Sequence, residues 1–187
     1  MSPENAPGDS RLTDDADASH MWFLCGIPGS GKTRFGKSLE AEGFFFIELE
    51  APEQPDSEHK RLKRVWDQAW PTGNQSAFVD ELKAMRQSVV VEWGFPVRCT
   101  SVVQSLKEAG MRIVWFKCTY EVARSGYIER RGEATLRWFE DQIGDIRRKC
   151  EEMAAALGPY ELNVLNKDGS RRTAADLYEE LRRPEPR

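Results

Sequence analysis

The sequence predicts an α/β protein, a three-layer α/β/α sandwich on a sheet of about five parallel strands. Three observations predict it. Short apolar runs alternate with segments of helical periodicity between residues 20 and 183, and such alternation gives parallel strands joined by right-handed crossovers. The runs are apolar throughout, as in Val89-Val90-Val91, which marks strands covered on both faces. A glycine-rich turn, Gly26-Ile27-Pro28-Gly29-Ser30-Gly31, joins the first run directly to the first helical segment.

Taken in order, Met21–Cys25 reads as strand 1 and residues 33–42 as a helix stopped by Gly43. Residues 44–48 read as strand 2, followed by helical patterns at 57–70 and 76–87. Ser88–Glu92 is strand 3, where three consecutive β-branched residues give a clear β signal. Pro96 opens a helix that ends at Gly110. Residues 112–117 are strand 4, and a long helical region from Tyr120 to Leu157 follows, broken near Gly132. Strand 5 is expected at 162–165 and a closing helix at 173–183. Residues 1–19, acidic and rich in Pro, Gly and Ser, read as a disordered tail, and 184–187 as a second tail. One domain over residues 20–183 remains.

Composition narrows the class. Of 187 residues, 40% are hydrophobic and 31% charged, as expected for a folded globular chain. The net charge of −4 offers no global attraction to nucleic acid or anionic lipid. No run of 18 apolar residues appears, so no membrane association is expected. Cys25, Cys99, Cys118 and Cys150 form no CxxC pair. They read as reduced thiols in a reducing compartment, which places the chain in the cytoplasm.

The chemistry begins at the glycine turn. Gly26, Gly31, Lys32 and Thr33 match the pattern G-x-x-x-x-G-K-[ST]. Glycines let the backbone curl so that successive N–H groups point at phosphate oxygens, and the following helix adds its free N–H donors and partial positive charge. Gly26, Ile27, Pro28, Gly29, Ser30, Gly31, Lys32, Thr33 and Arg34 are therefore the expected nucleotide-binding stretch. Lys32 reaches the β- and γ-phosphates, and the Thr33 hydroxyl ligates Mg²⁺. Glu92, at the end of strand 3, is the second candidate metal ligand; the alternative is an ordinary strand-end carboxylate. Glu48 and Glu50 end strand 2, and ligands of open α/β sheets gather at the carboxyl ends of strands. Glu48, nearer the strand, is preferred as the group that orients or deprotonates an acceptor.

With these residues the chain resembles the P-loop kinase-like superfamily of nucleoside-triphosphate-binding proteins, which includes nucleoside monophosphate kinases, shikimate and gluconate kinases, chloramphenicol phosphotransferase and polynucleotide 5′-kinase. The resemblance spans residues 21–183 and is strongest at Gly26–Thr33. It implies ATP and Mg²⁺ as the bound cofactors, and an acid after strand 2 as base or acceptor ligand, although Asp is commoner there than Glu. It also implies a lid after strand 4 whose arginines neutralise the transferred phosphoryl group. Arg124, Arg130, Arg131 and Arg137 occupy that place, with Arg124 and Arg130 the preferred catalytic pair and Gly126 and Gly132 as hinges. The alternative is a solvated helix face with Glu121, Glu129 and Glu133 pairing the arginines.

The resemblance further implies that Leu165–Ser170 lies near the purine, with Gly169 among its contacts; the alternative is a simple turn ending in a helix cap. Asn166-Lys167-Asp168 is one residue too short for the guanine-reading N-K-x-D, so ATP is favoured over GTP. In related kinases the region between strands 2 and 3 binds the acceptor. Here it carries His59, Lys60, Arg61, Lys63, Arg64, Trp66 and Trp70. The helical spacing of Leu62, Val65, Trp66 and Ala69 makes Trp66 a core residue, whereas Trp93 is open to either a pocket or a core role. Two function classes follow: a kinase acting on a small-molecule or nucleotide-like acceptor, and a nucleotide-binding regulator or slow NTPase without one. A polynucleotide end kinase is a third reading, weakened by the acidic charge balance.

Overall fold

The computed structural model describes residues 20–183, so both predicted tails lie outside the described residues. The sheet has five parallel strands in the order β2-β3-β1-β4-β5. They are β1 (Met21–Gly26), β2 (Phe45–Glu48), β3 (Val89–Glu92), β4 (Arg112–Lys117) and β5 (Tyr160–Asn163). The helices are α1 (Lys32–Leu39), α2 (Ser57–Ala69), α3 (Ser76–Ala84), α4 (Thr100–Glu108), α5 (Tyr120–Arg131), α6 (Leu136–Leu157) and α7 (Ala174–Arg182).

Alternation along the buried strands builds the two outer layers. Trp22 and Leu24 point into a core that α1 and α7 close with Phe35, Leu39, Leu177 and Leu181. Phe23 and Cys25 point the other way, into the larger core that α2, α3, α4 and α6 close with Leu62, Trp66, Phe78, Val103 and Leu157. β1 is buried from Trp22 onward and β3 throughout, which is why these strands read as continuous apolar runs. Helix α1 lies so close to β2 that a Cβ at Gly36 would stand 2.1 Å from the Phe46 ring.

Most element boundaries fall within a few residues of those the sequence predicts, and the two-residue shift of strand 5 is informative. It begins at Tyr160, two residues before the apolar run, and ends at Asn163. As an edge strand it buries Leu162 while Glu161 and Asn163 stay exposed, so hydrophobicity alone misplaces it. Beyond it, Val164 N–H still donates to the Lys117 carbonyl at 3.0 Å, and the Asn163 side chain accepts from Leu165 N–H at 3.1 Å. The predicted helical region 120–157 does divide at Gly132, whose φ of 77° and ψ of 165° end α5. A short 3-10 turn, Glu133–Thr135, leads into α6.

Candidate active site

β1 delivers the chain to the glycine turn at the carboxyl edge of the sheet. Gly26, Gly29 and Gly31 have φ of 133°, 77° and 102°, a backbone that side chains with a Cβ rarely adopt. Gly31 serves as N-cap and the helix opens at Lys32. The Lys32 ammonium, buried at 5% exposure, donates to the carbonyls of Gly26 at 3.1 Å and Ile27 at 3.2 Å, which centres it in the turn. Ser30 Oγ is buried in the same turn without a protein partner.

Register supplies the carboxylates. β3 pairs with β1 so that Glu92 stands opposite Leu24, two residues before Gly26. Glu92 is 4% exposed; its Oε1 lies 3.9 Å from the Lys32 ammonium, and its Oε2 accepts from the Thr33 hydroxyl at 2.9 Å. In the next register pair, β2 places Glu48 beside Glu92. Burial, then the charge of Glu92, pushes the Glu48 carboxyl above the ordinary glutamate value; Arg130, Lys37 and Arg131 act in the opposite direction. The Glu50 carboxyl lies against Gly94 and is pushed up for the same two leading reasons.

α5 closes the site from the other side. Thr119 caps the helix by accepting from Val122 N–H. A Cβ at Gly126 would stand 2.6 Å from the Gly29 carbonyl oxygen, and one at Gly29 would stand 2.0 Å from that of Ala123. Two glycines thus let the helix rest on the turn. Arg130, one helical turn past Gly126, donates to Thr33 Oγ1 at 3.2 Å and lies 3.9 Å from Glu48 Oε1. Gly29, Gly31, Lys32, Thr33, Arg34, Gly126, Glu129, Arg130 and Arg171 enclose a cavity of about 370 Å³.

Lys32, Thr33, Glu92, Glu48 and Arg130 therefore converge. Arg124 does not line that cavity; it lies near the Tyr120 hydroxyl. Its offset of two residues from Gly126 turns it away from the contact face, because a helix advances 100° per residue. Arg137 is exposed on α6. Gly169 occupies the tip of a turn, with φ of 84° and open space where a Cβ would be. The residues after it, Arg171 to Ala174, line a second cavity of about 390 Å³ with Ser30, Gly31 and Arg34. Arg171 escaped the sequence reading: its Nη1 donates to Ser30 O at 3.0 Å and its Nη2 to Gly29 O at 3.1 Å, across 141 and 142 residues. Only its charge and its place after strand 5 marked it beforehand.

In the region between β2 and β3, Trp66 and Trp93 are 2% and 8% exposed and pack edge-on with centroids 5.0 Å apart, so both belong to the core. His59 is buried and braces α2, its Nδ1 2.9 Å from Asp56 Oδ1 and its Nε2 2.9 Å from Phe46 O. Arg61 pairs with Glu58 and Glu81, and Lys63 with Asp67. Lys60 and Arg64 lie exposed along a groove beside Pro52–Gln54.

All four cysteines are free thiols. No helix among the described residues is long and apolar enough to cross a membrane.

No family model matches the sequence, and no curated protein matches it. Solved structures do. The chain is similar to a shikimate kinase from Acinetobacter baumannii in complex with shikimate, at 13% identity and TM-score 0.56 over 88% of this chain and 92% of that one. It is similar to a shikimate kinase from Bacteroides thetaiotaomicron, at 17% identity and TM-score 0.51 over 87% and 95%. It is also similar to a gluconokinase from Sinorhizobium meliloti 1021, at 21% identity and TM-score 0.50 over 86% and 88%. What these proteins share with the chain is a fold: it is the P-loop kinase-like α/β fold, with the glycine turn between β1 and α1.

Proposed function

We propose that the chain is an ATP-dependent kinase that moves the γ-phosphoryl group of Mg·ATP to a hydroxyl of a small acceptor. The observation that carries the reading is one convergence: Arg130, from the helix after β4, reaches both Thr33 of the glycine turn and Glu48 at the end of β2. A turn that only held nucleotide needs neither a cation from that helix nor a second, half-buried acid. The similar structures of a gluconokinase and of a shikimate kinase holding shikimate support an acceptor of that size.

In this reading the backbone N–H groups of the turn and the Lys32 ammonium bind the β- and γ-phosphates. The Thr33 hydroxyl and Glu92 carboxylate, already 2.9 Å apart, fit a hard cation that prefers oxygen. Among the described residues no cluster of three acidic, His or Cys ligands able to hold a metal occurs, so Thr33 and Glu92 are the side chains that would hold such an ion. Bound Mg²⁺ supplies neutralisation of charge on the phosphate oxygens. Glu48, ionised, accepts the acceptor's hydroxyl proton as the new O–P bond forms and the bond to the ADP oxygen breaks. Arg130 offsets the negative charge that spreads over the equatorial oxygens.

The test is incubation with ATP labelled at the γ-phosphate, with magnesium, across a panel of polyols, sugar acids, nucleosides and oligonucleotides. Label transferred to one acceptor by the wild-type protein and lost in Lys32→Ala is the expected result. Release of inorganic phosphate whatever the panel member points to an NTPase, and undiminished turnover in Lys32→Ala removes the assignment of the turn.

A further inference from the structure

We propose that Arg171 is a positioning residue of this site, a strut that fixes the Gly29–Ser30 peptides and, through the first turn of α5, the reach of Arg130 over Thr33. The inference rests on the kinase reading above. One guanidinium joins three segments of chain. Nη1 donates to Ser30 O at 3.0 Å, and Nη2 donates both to Gly29 O at 3.1 Å and to Val122 O in α5 at 3.2 Å. A planar fork of fixed donors suits that task, since three carbonyls from two segments need directed N–H groups and not a point charge. Because a trans peptide sets its N–H opposite its C=O, holding the carbonyls of Gly29 and Ser30 also fixes the directions of the N–H groups of Ser30 and Gly31.

The surroundings reserve space for this group. A Cβ at Gly31 would stand 3.1 Å from Nη1, and one at Gly126 would stand 3.0 Å from Nη2. Arg171 is itself held, by an antiparallel bridge between Leu165 and Arg171. Its neighbour Arg172 is tied to Asn163 O, Asp176 O and Glu180. Among the described residues Arg171 forms no ion pair, so its donors are spent on backbone. It lines both the cavity over the turn and the cavity beside α7. The loop after β5 is thereby coupled to the turn and to α5, and Arg130 lies eight residues beyond Val122 on the same helix face, just over two turns along.

The test uses the full chain with Arg171→Gln, Arg171→Lys, Arg130→Gln and the double variant Arg171→Gln/Arg130→Gln. Mg·ATP affinity, kcat for ADP formation and amide exchange of residues 27–31 and 120–126 are measured. A strut predicts that kcat falls on the order of a hundredfold in Arg171→Gln, as for a small misplacement of a catalytic group, while affinity changes by about tenfold or less. Arg171→Lys follows Gln because an ammonium cannot span the three carbonyls. The double variant loses no more than the worse single variant, and exchange in both segments quickens. Additive losses, rescue by Lys, or unchanged exchange would each overturn the proposal. Wild-type turnover insensitive to Lys32→Ala sinks the kinase reading instead, and the exchange comparison still decides on the strut.

Discussion

Glu48 and Glu92 end adjacent strands in direct register, so two carboxylates share a half-buried corner with one ammonium and one guanidinium. Burial first and Glu92 second raise the Glu48 pKa. A base works only when ionised, so the acidic limb of kcat/KM against pH is expected above the ordinary glutamate value of 4.5. Arg130 favours the ionised form, so Arg130→Gln moves that limb further up. Glu48→Gln removes the limb and lowers kcat by roughly 10²–10⁴-fold, the usual contribution of a positioned base. Glu50→Gln is the control, since Glu50 also carries a raised pKa. A limb that persists in Glu48→Gln excludes Glu48 as the base.

At the scale of elements, α5 divides into an anchored and a free part. The sequence reading made hinges of Gly126 and Gly132, and the structure separates the two. Gly126 is a contact point against Gly29, whereas Gly132 has open space where a Cβ would be and a backbone that only glycine adopts freely. Gly126→Ala is expected to push α5 off the turn and to lower kcat more than tenfold with little change in melting temperature, because the helix itself is undisturbed. Gly132→Ala pays a backbone cost of about 1–3 kcal/mol without a clash, and lowers the melting temperature instead. Paired melting curves and rates check both; the reverse ranking would make Gly126 the hinge after all. A third glycine, Gly36, sets the seat of α1 on the Phe46 ring, and Gly36→Ala is expected to cost about 1–3 kcal/mol by overpacking, read as a lower denaturant midpoint.

At the scale of the whole molecule, the main apolar burial among the described residues lies in two layers on the two faces of one sheet, with a smaller cluster around Tyr127 and Phe139 between α5 and α6. Cys25 lies in the larger, fully buried, its thiol donating to Val114 O at 3.4 Å. Burial pushes its pKa from 9.0 up to about 12. The folded state thus keeps a proton that the unfolded chain releases above 9.0. Stability is complete below that pH and falls as pH rises through about 12. Cys25→Ala flattens that part of the alkaline stability curve measured by urea unfolding; a contribution from the partly buried Tyr160, raised by desolvation and then by its hydrogen bond to Glu180, remains. In a thiol-labelling experiment the exposed Cys150 reacts first and the half-buried Cys118 more slowly. Cys25 and Cys99 stay protected until the chain unfolds, and rapid labelling of all four would contradict the packing described.

The sequence by itself determined the five-strand architecture, the glycine turn with Lys32 and Thr33, and the strand-end acids Glu48 and Glu92. All of these are local: a period, a motif, or the last residue of an apolar run. Where the local signal is weak it drifted, by two residues at edge strand β5, whose solvent face carries Glu161 and Asn163. Tertiary structure alone decided which arginine of the cluster meets the turn, because that depends on where the Gly126–Gly29 contact fixes the face of α5. It also brought Arg171 across 141 residues to Ser30. A long charged side chain carries no periodicity that betrays its partner, and only the loop after β5, which returns the chain to the head of α1, makes the two meet.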